Sequence, residues 1–141
     1  MDVSKEYIKM CQQAKEIQEN VNFTSGDFVH CIKNGKTVVL YFNAVNGSPP
    51  WYYTDIETSI FLPRQDQLQD MIYTSRKDAE GYEYGLLDLW ESFQEFMNSD
   101  YPDDHFMNVI NYMDSFEQAW LLFIMLIKYN KIWNNQDWVS A

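Results

Sequence analysis

Apolar side chains recur every three or four positions between residues 7 and 21, at Tyr7, Met10, Cys11, Ala14, Ile17 and Val21. That interval predicts a helix with one buried stripe, its wet side carrying Lys5, Lys9, Gln12, Gln13, Lys15, Glu16 and Glu19. Ser4 is placed to cap this helix and Glu6 to favour its dipole, so it should run to about Asn20. The period then changes to two. Asn34-Gly35 is a strong hairpin signal, and a two-residue loop there would pair Cys31 with Val38, His30 with Val39 and Val29 with Leu40. Alternation puts Val29, Cys31, Val38, Leu40 and Phe42 on the core side, with Phe28, His30 and Tyr41 opposite. Residues 51–53 and 57–61 read as further strands of a small antiparallel sheet.

Helical spacing returns afterwards. Leu62-Pro63-Arg64 opens a helix with Leu68, Met71 and Ile72 on its apolar edge, and residues 74–83 form a polar connection. From Gly85 to about Asn98, Leu86, Leu89, Trp90, Phe93, Phe96 and Met97 make a buried face, while Asp88, Glu91, Ser92 and Glu95 lie outside. A short helix should carry Phe106, Val109, Ile110 and Met113. Two overlapping capping patterns, Asp114 with Glu117 and Ser115 with Gln118, open a last helix that is apolar around most of its girth. Asn130 suits a left-handed stop, and the tail should fold Trp133 and Trp138 back on the body. The expected architecture is α+β in a single domain spanning residues 1–141: an N-terminal helix, a small antiparallel sheet with a hairpin, and a C-terminal helical cluster.

Charge changes the picture. Residues 78–127 hold no Lys or Arg but eleven Asp and Glu, whereas residues 1–50 balance five acids against five lysines. The net charge of −11 therefore belongs to the rest of the chain. A pI near 4.4 argues against direct binding of nucleic acid, which rests on phosphate neutralisation by Lys and Arg. Two cysteines are too few for a disulfide framework, and both fall at packing positions, as reduced thiols of a cytoplasmic protein would. The N-terminus lacks the basic-then-apolar order of a signal peptide, and the longest apolar run, residues 119–127, is too short for a membrane span of about twenty residues.

Catalytic chemistry finds little footing. His30 and His105 lack partners at metal-ligand spacing, and Asp103-Asp104-His105 reads as a solvated acidic loop, so no metal or cofactor is expected. No nucleophile elbow and no phosphate-cradling glycine loop is present. Asp66 and Asp70, one turn apart, read as solvent-facing carboxylates rather than as an acid–base pair, and Arg64 as half of an internal ion pair at the start of its helix. The expectation is a non-enzyme.

The sharpest signal is the acidic helix. Asp88, Glu91 and Glu95 lie three and four positions apart, about 4.5 and 6 Å along a helix axis. With Asp100, Asp103 and Asp104 beyond the helix end, they can form a negative ridge for a basic partner, steered electrostatically and weakened by salt.

Four stretches carry a resemblance. They are Met10-Cys11-Gln12-Gln13-Ala14-Lys15-Glu16-Ile17-Gln18, Gly26-Asp27, Leu62-Pro63-Arg64-Gln65-Asp66-Gln67-Leu68-Gln69, and Glu117 to Leu121 continued by Lys128 to Trp133. Through them the chain resembles a family of small uncharacterised proteins encoded by phages and prophages of Gram-positive bacteria. The chain differs from that pattern at Asn130, where Gly is usual, and at Asn22-Phe23, where a Trp is common. The resemblance implies a phage origin, in a setting rich in small acidic inhibitors of host defence nucleases, anti-CRISPR proteins among them. The expected function is occupancy of a basic, nucleic-acid-binding site on a host protein. The alternative is a self-assembling phage accessory or structural protein in which exposed aromatics such as Trp51, Tyr52, Tyr53, Trp133 and Trp138 form a homo-oligomer interface.

Overall fold

A computed structural model describes residues 1–19, 21–41, 58–73, 85–98 and 113–141. These group into two compact units, Met1–Arg64 and Gln65–Ala141. Helices accompany a small antiparallel sheet in the first unit, and helices dominate the second, so the α+β expectation holds.

In the first unit α1 spans Lys5–Gln13, and the Ser4 hydroxyl accepts from the Tyr7 N–H at 3.1 Å as an N-cap. The expected stripe is buried at Tyr7, Met10, Cys11, Ala14 and Ile17. The helix is not continuous, however. It breaks at Ala14 (ψ 73°) and resumes as α2, Lys15–Gln18. Tertiary bonds hold the offset: the Gln18 amide donates to the Cys11 carbonyl at 3.0 Å and to the Phe61 carbonyl at 3.0 Å. Its oxygen accepts from the Phe61 N–H at 2.9 Å.

Three strands, β1 (Phe28–Cys31), β2 (Lys36–Val39) and β3 (Ser59–Leu62), form an antiparallel sheet in the order β2-β1-β3. The hairpin register differs from the expected one. Val29 faces Val38 and Cys31 faces Lys36, because the loop has four residues, 32–35, rather than two. A type I′ loop needs positive φ at both central residues, and here Gly35 alone supplies it, at 65°. The Asn34 side chain instead accepts from the Lys36 N–H at 2.9 Å. A shift of two residues keeps every side chain on its expected face. Val29 is accordingly buried, but Cys31 is only half-buried, with the Ser59 hydroxyl donating to its sulfur at 3.7 Å. Phe42, residues 51–53 and Glu57 lie outside the described residues.

The second unit begins with α3, Gln65–Tyr73, so Pro63 and Arg64 precede that helix instead of opening it. Then come α4 (Leu86–Asn98) and α5 (Phe116–Tyr129). Ser115 caps α5 by accepting from the Gln118 N–H at 3.2 Å, while Gln118 Oε1 accepts from the Asp114 N–H at 3.3 Å. Asn130 closes the helix in the left-handed conformation (φ 53°, ψ 47°), as its position suggested. Every residue of α5 from Gln118 to Met125 is buried, and α3, α4 and the tail pack on it. The tail, expected to fold Trp133 and Trp138 back on the body, is a hairpin of β4 (Lys131–Trp133) and β5 (Trp138–Ser140). Trp133 and Trp138 pair across it with ring centroids 5.1 Å apart, and both are buried rather than exposed as the oligomer alternative required, while Trp51, Tyr52 and Tyr53 lie outside the described residues. No helix among the described residues is long and apolar enough to cross a membrane. The polar connection at 74–83 and the short helix at 106–113, Met113 excepted, lie outside the described residues.

Candidate functional site

Helix α4 is the element on which the acidic site was expected. Its start is fixed locally: Asp88 Oδ2 accepts from the Gly85 N–H at 2.8 Å, the backward half of a capping box. Leu89, Phe93 and Phe96 turn inward, and Phe93 stacks on Trp120 of α5 at 3.9 Å with the rings 6° from parallel. Those three anchors set the rotation of the helix. Asp88, Glu91 and Glu95 are consequently all exposed. Glu91 and Glu95 border a shallow concavity with Gln94 and Asn98. No ion pair among the described residues engages Asp88, Glu91 or Glu95. Asp100, Asp103 and Asp104, the remaining members of the expected ridge, lie outside the described residues.

One expectation for α4 needs correction. Trp90, assigned to the buried face, is 44 % exposed, and Leu87 beside it is 67 % exposed. At 3.6 residues per turn, Trp90 lies about 90° from the centre of the buried stripe. Leu87 sits farther round, between Trp90 and Glu91. The helix therefore shows the solvent an apolar edge running into an acidic face. The helix period places Trp90 at the edge of the buried face only once Leu89, Phe93 and Phe96 are fixed as the inward set, which packing on α5 decides.

Other candidates resolve into local roles. Asp27, 2 % exposed, accepts from the Thr24 N–H at 2.6 Å and faces Arg64 at 3.5 Å, and Arg64 Nη1 also donates to the Gly26 carbonyl at 2.9 Å. Arg64 is thus engaged within the first unit, as the internal-pair reading expected. His30 Nδ1 lies 3.0 Å from the Thr37 hydroxyl of the adjacent strand. Asp66 and Asp70 are exposed on α3. Burial pushes the Cys11 thiol far above its ordinary value, against a smaller pull from a hydrogen bond with Tyr7, so it is no nucleophile at neutral pH. Among the described residues, no three His, Cys, Asp and Glu side chains gather as a metal site would require.

No family model, curated protein or solved structure matches the chain.

Proposed function

We propose that this is a non-enzymatic phage interaction protein that acts in the bacterial cytoplasm. Its α4 face occupies a basic, nucleic-acid-binding surface of a host protein. The observation that carries the reading is the outer face of α4, where Asp88, Glu91 and Glu95 stand exposed in line, clear of ion pairs among the described residues. Steps of about 4.5 and 6 Å along the axis let arginines and lysines that hold successive phosphates take carboxylates instead. Exposed Leu87 and Trp90 on the same helix add apolar contact that nucleic acid would not offer, which favours one protein target over basic surfaces in general. A CRISPR or similar defence nuclease is the target that best suits the phage setting implied by the sequence resemblance.

The test is capture from a Gram-positive host lysate at about 0.05 M and 0.5 M salt, where the Debye length falls by roughly a factor of three. A specific basic protein should be retained at low salt and released by added duplex DNA. Glu91→Lys and Glu95→Lys should each lower its affinity by about tenfold or more. Retention of that protein by the doubly reversed chain would rule the reading out.

A further inference from the structure

A second feature of the second unit adjoins the acidic face and shares Leu87 and Trp90 with the proposed partner surface. Gln69 of α3, Leu87, Leu89 and Trp90 of α4 and Trp120 of α5 line, among the described residues, a groove of about 520 Å³. That volume falls within the roughly 300–1,000 Å³ typical of small-molecule sites. Among the described residues its lining is apolar except for the Gln69 amide and the indole N–H groups of Trp90 and Trp120. Trp120 is 1 % exposed, and its Nε1 is buried with no hydrogen-bond partner among the described residues. The ring cannot readily turn to find one: Phe93 stacks on its face at 3.9 Å, and Phe123 meets it edge-on at 5.7 Å. Buried indole N–H groups ordinarily have an acceptor, because an unmade bond there is costly.

We infer that the groove binds a small uncharged molecule with a flat apolar body and one acceptor oxygen, a carbonyl or ether, which takes the Trp120 indole hydrogen bond. The chemistry follows from the lining. Leucine and tryptophan surfaces select the apolar body, and the buried Trp120 N–H selects an acceptor. Asp88, Glu91 and Glu95 on the same helix select against anions. Nε1 is shut off from solvent in this structure, so the ligand reaches it by turning aside a lining group. Leu87 and Trp90, at 67 % and 44 % exposure, have room to move.

The experiment titrates the isotope-labelled full chain with methyl naphthyl ketone and, separately, with ethylnaphthalene, which has the same bulk but no acceptor. The indole N–H resonances are followed by NMR, with Trp120→Phe identifying the relevant one. The ketone should move the Trp120 resonance downfield and saturably, and bind roughly two- to tenfold tighter than the hydrocarbon, the range expected for one hydrogen bond. Leu87→Ser should weaken both probes, and Glu91→Lys with Glu95→Lys should leave both unchanged, which separates this site from the acidic face. Equal affinity for ketone and hydrocarbon would overturn the inference, as would a shift indifferent to Leu87→Ser. Absence of binding by either probe, the result expected of a groove reserved for a partner's side chain, would overturn it too.

Discussion

Replacing Glu95 by lysine should move stability and binding in opposite directions. In α4, Glu91 and Glu95 are four positions apart and both exposed, so they repel across one helical turn. Like charges so placed cost about 0.2–0.5 kcal/mol, and a Glu followed four residues later by a Lys gains a similar amount. The helix carries Asp88 in its first turn but no basic residue in its last, where a cation contributes about 0.3–1 kcal/mol at low ionic strength. Together these terms make Glu95→Lys more stable by about 1 kcal/mol, or about 3 °C in melting temperature for a chain of this size. The measurement is thermal unfolding by circular dichroism in low salt, repeated near 1 M salt, where a Debye length of about 3 Å should erase most of the gain. Glu95→Gln should show a smaller gain. The same variant should lose the basic partner. A Glu95→Lys chain less stable than the parent would refute the account of this face, as would one that is more stable yet binds undiminished.

The remaining expectations concern the scaffold. Asp27→Ala removes the acceptor for Thr24 at 2.6 Å and the counterion of Arg64 at 3.5 Å, and should cost about 2–4 kcal/mol in urea unfolding. Arg64→Ala combined with it should cost less than the two alone, whereas strict additivity would mean the pair does not interact. Gly35→Ala should cost about 1 kcal/mol from backbone strain alone, since φ is 65° and nothing lies within 4 Å of an added Cβ. Asn130→Gly should be neutral or slightly stabilising in thermal unfolding and Asn130→Ala destabilising by about 1 kcal/mol, because the residue sits at φ 53°. In the native chain a thiol reagent should modify half-buried Cys31 and spare Cys11. Because the Cys11 thiol is raised, its contribution is intact below the ordinary value of 9.0 and declines as the unfolded chain ionises above it; rapid modification of both thiols would contradict the burial.

Elements governed by local chemistry could be read from the residues. The Ser4 and Ser115 caps, the Asn130 stop and the buried stripe of α1 each depend on side chains within a turn or two. What escaped the reading depended on distant partners. The break at Ala14 needs the Gln18 amide to reach Phe61, forty-three residues away, and no period in the sequence announces that. The hairpin loop departs from the expected two residues because Asn-Gly permits such a turn without enforcing it. Pairing with β3 on the far side of β1 also constrains the register adopted. At the site, the exposure of Asp88, Glu91 and Glu95 followed from amphipathicity. The exposure of Trp90 did not, because its hydrophobicity favours burial while the packing of Leu89, Phe93 and Phe96 sets the rotation of the helix. The groove is illegible in the sequence for a simpler reason: an indole N–H with no acceptor among the described residues is a property of packed helices, and no single segment encodes it.

The disposition of α4 also discriminates between a heterologous partner and self-assembly. Its three inward anchors leave Leu87 and Trp90 exposed next to Asp88, Glu91 and Glu95, so any partner covering the apolar edge must also meet the carboxylates. In a two-fold dimer built on this face, each chain would present the same acids to its copy. Like charges brought together in a desolvating interface oppose association, and a net charge of −11 adds repulsion at longer range. A cationic protein meets neither obstacle: its arginines and lysines complement the acidic face while its apolar side chains cover Leu87 and Trp90. The uncompensated charge that weakens the helix on its own thus becomes favourable on binding. Self-association through α4 would require salt to screen it, so light scattering should find the chain no larger at low ionic strength than at high, and a dimer dissolved by added salt would place the interface elsewhere.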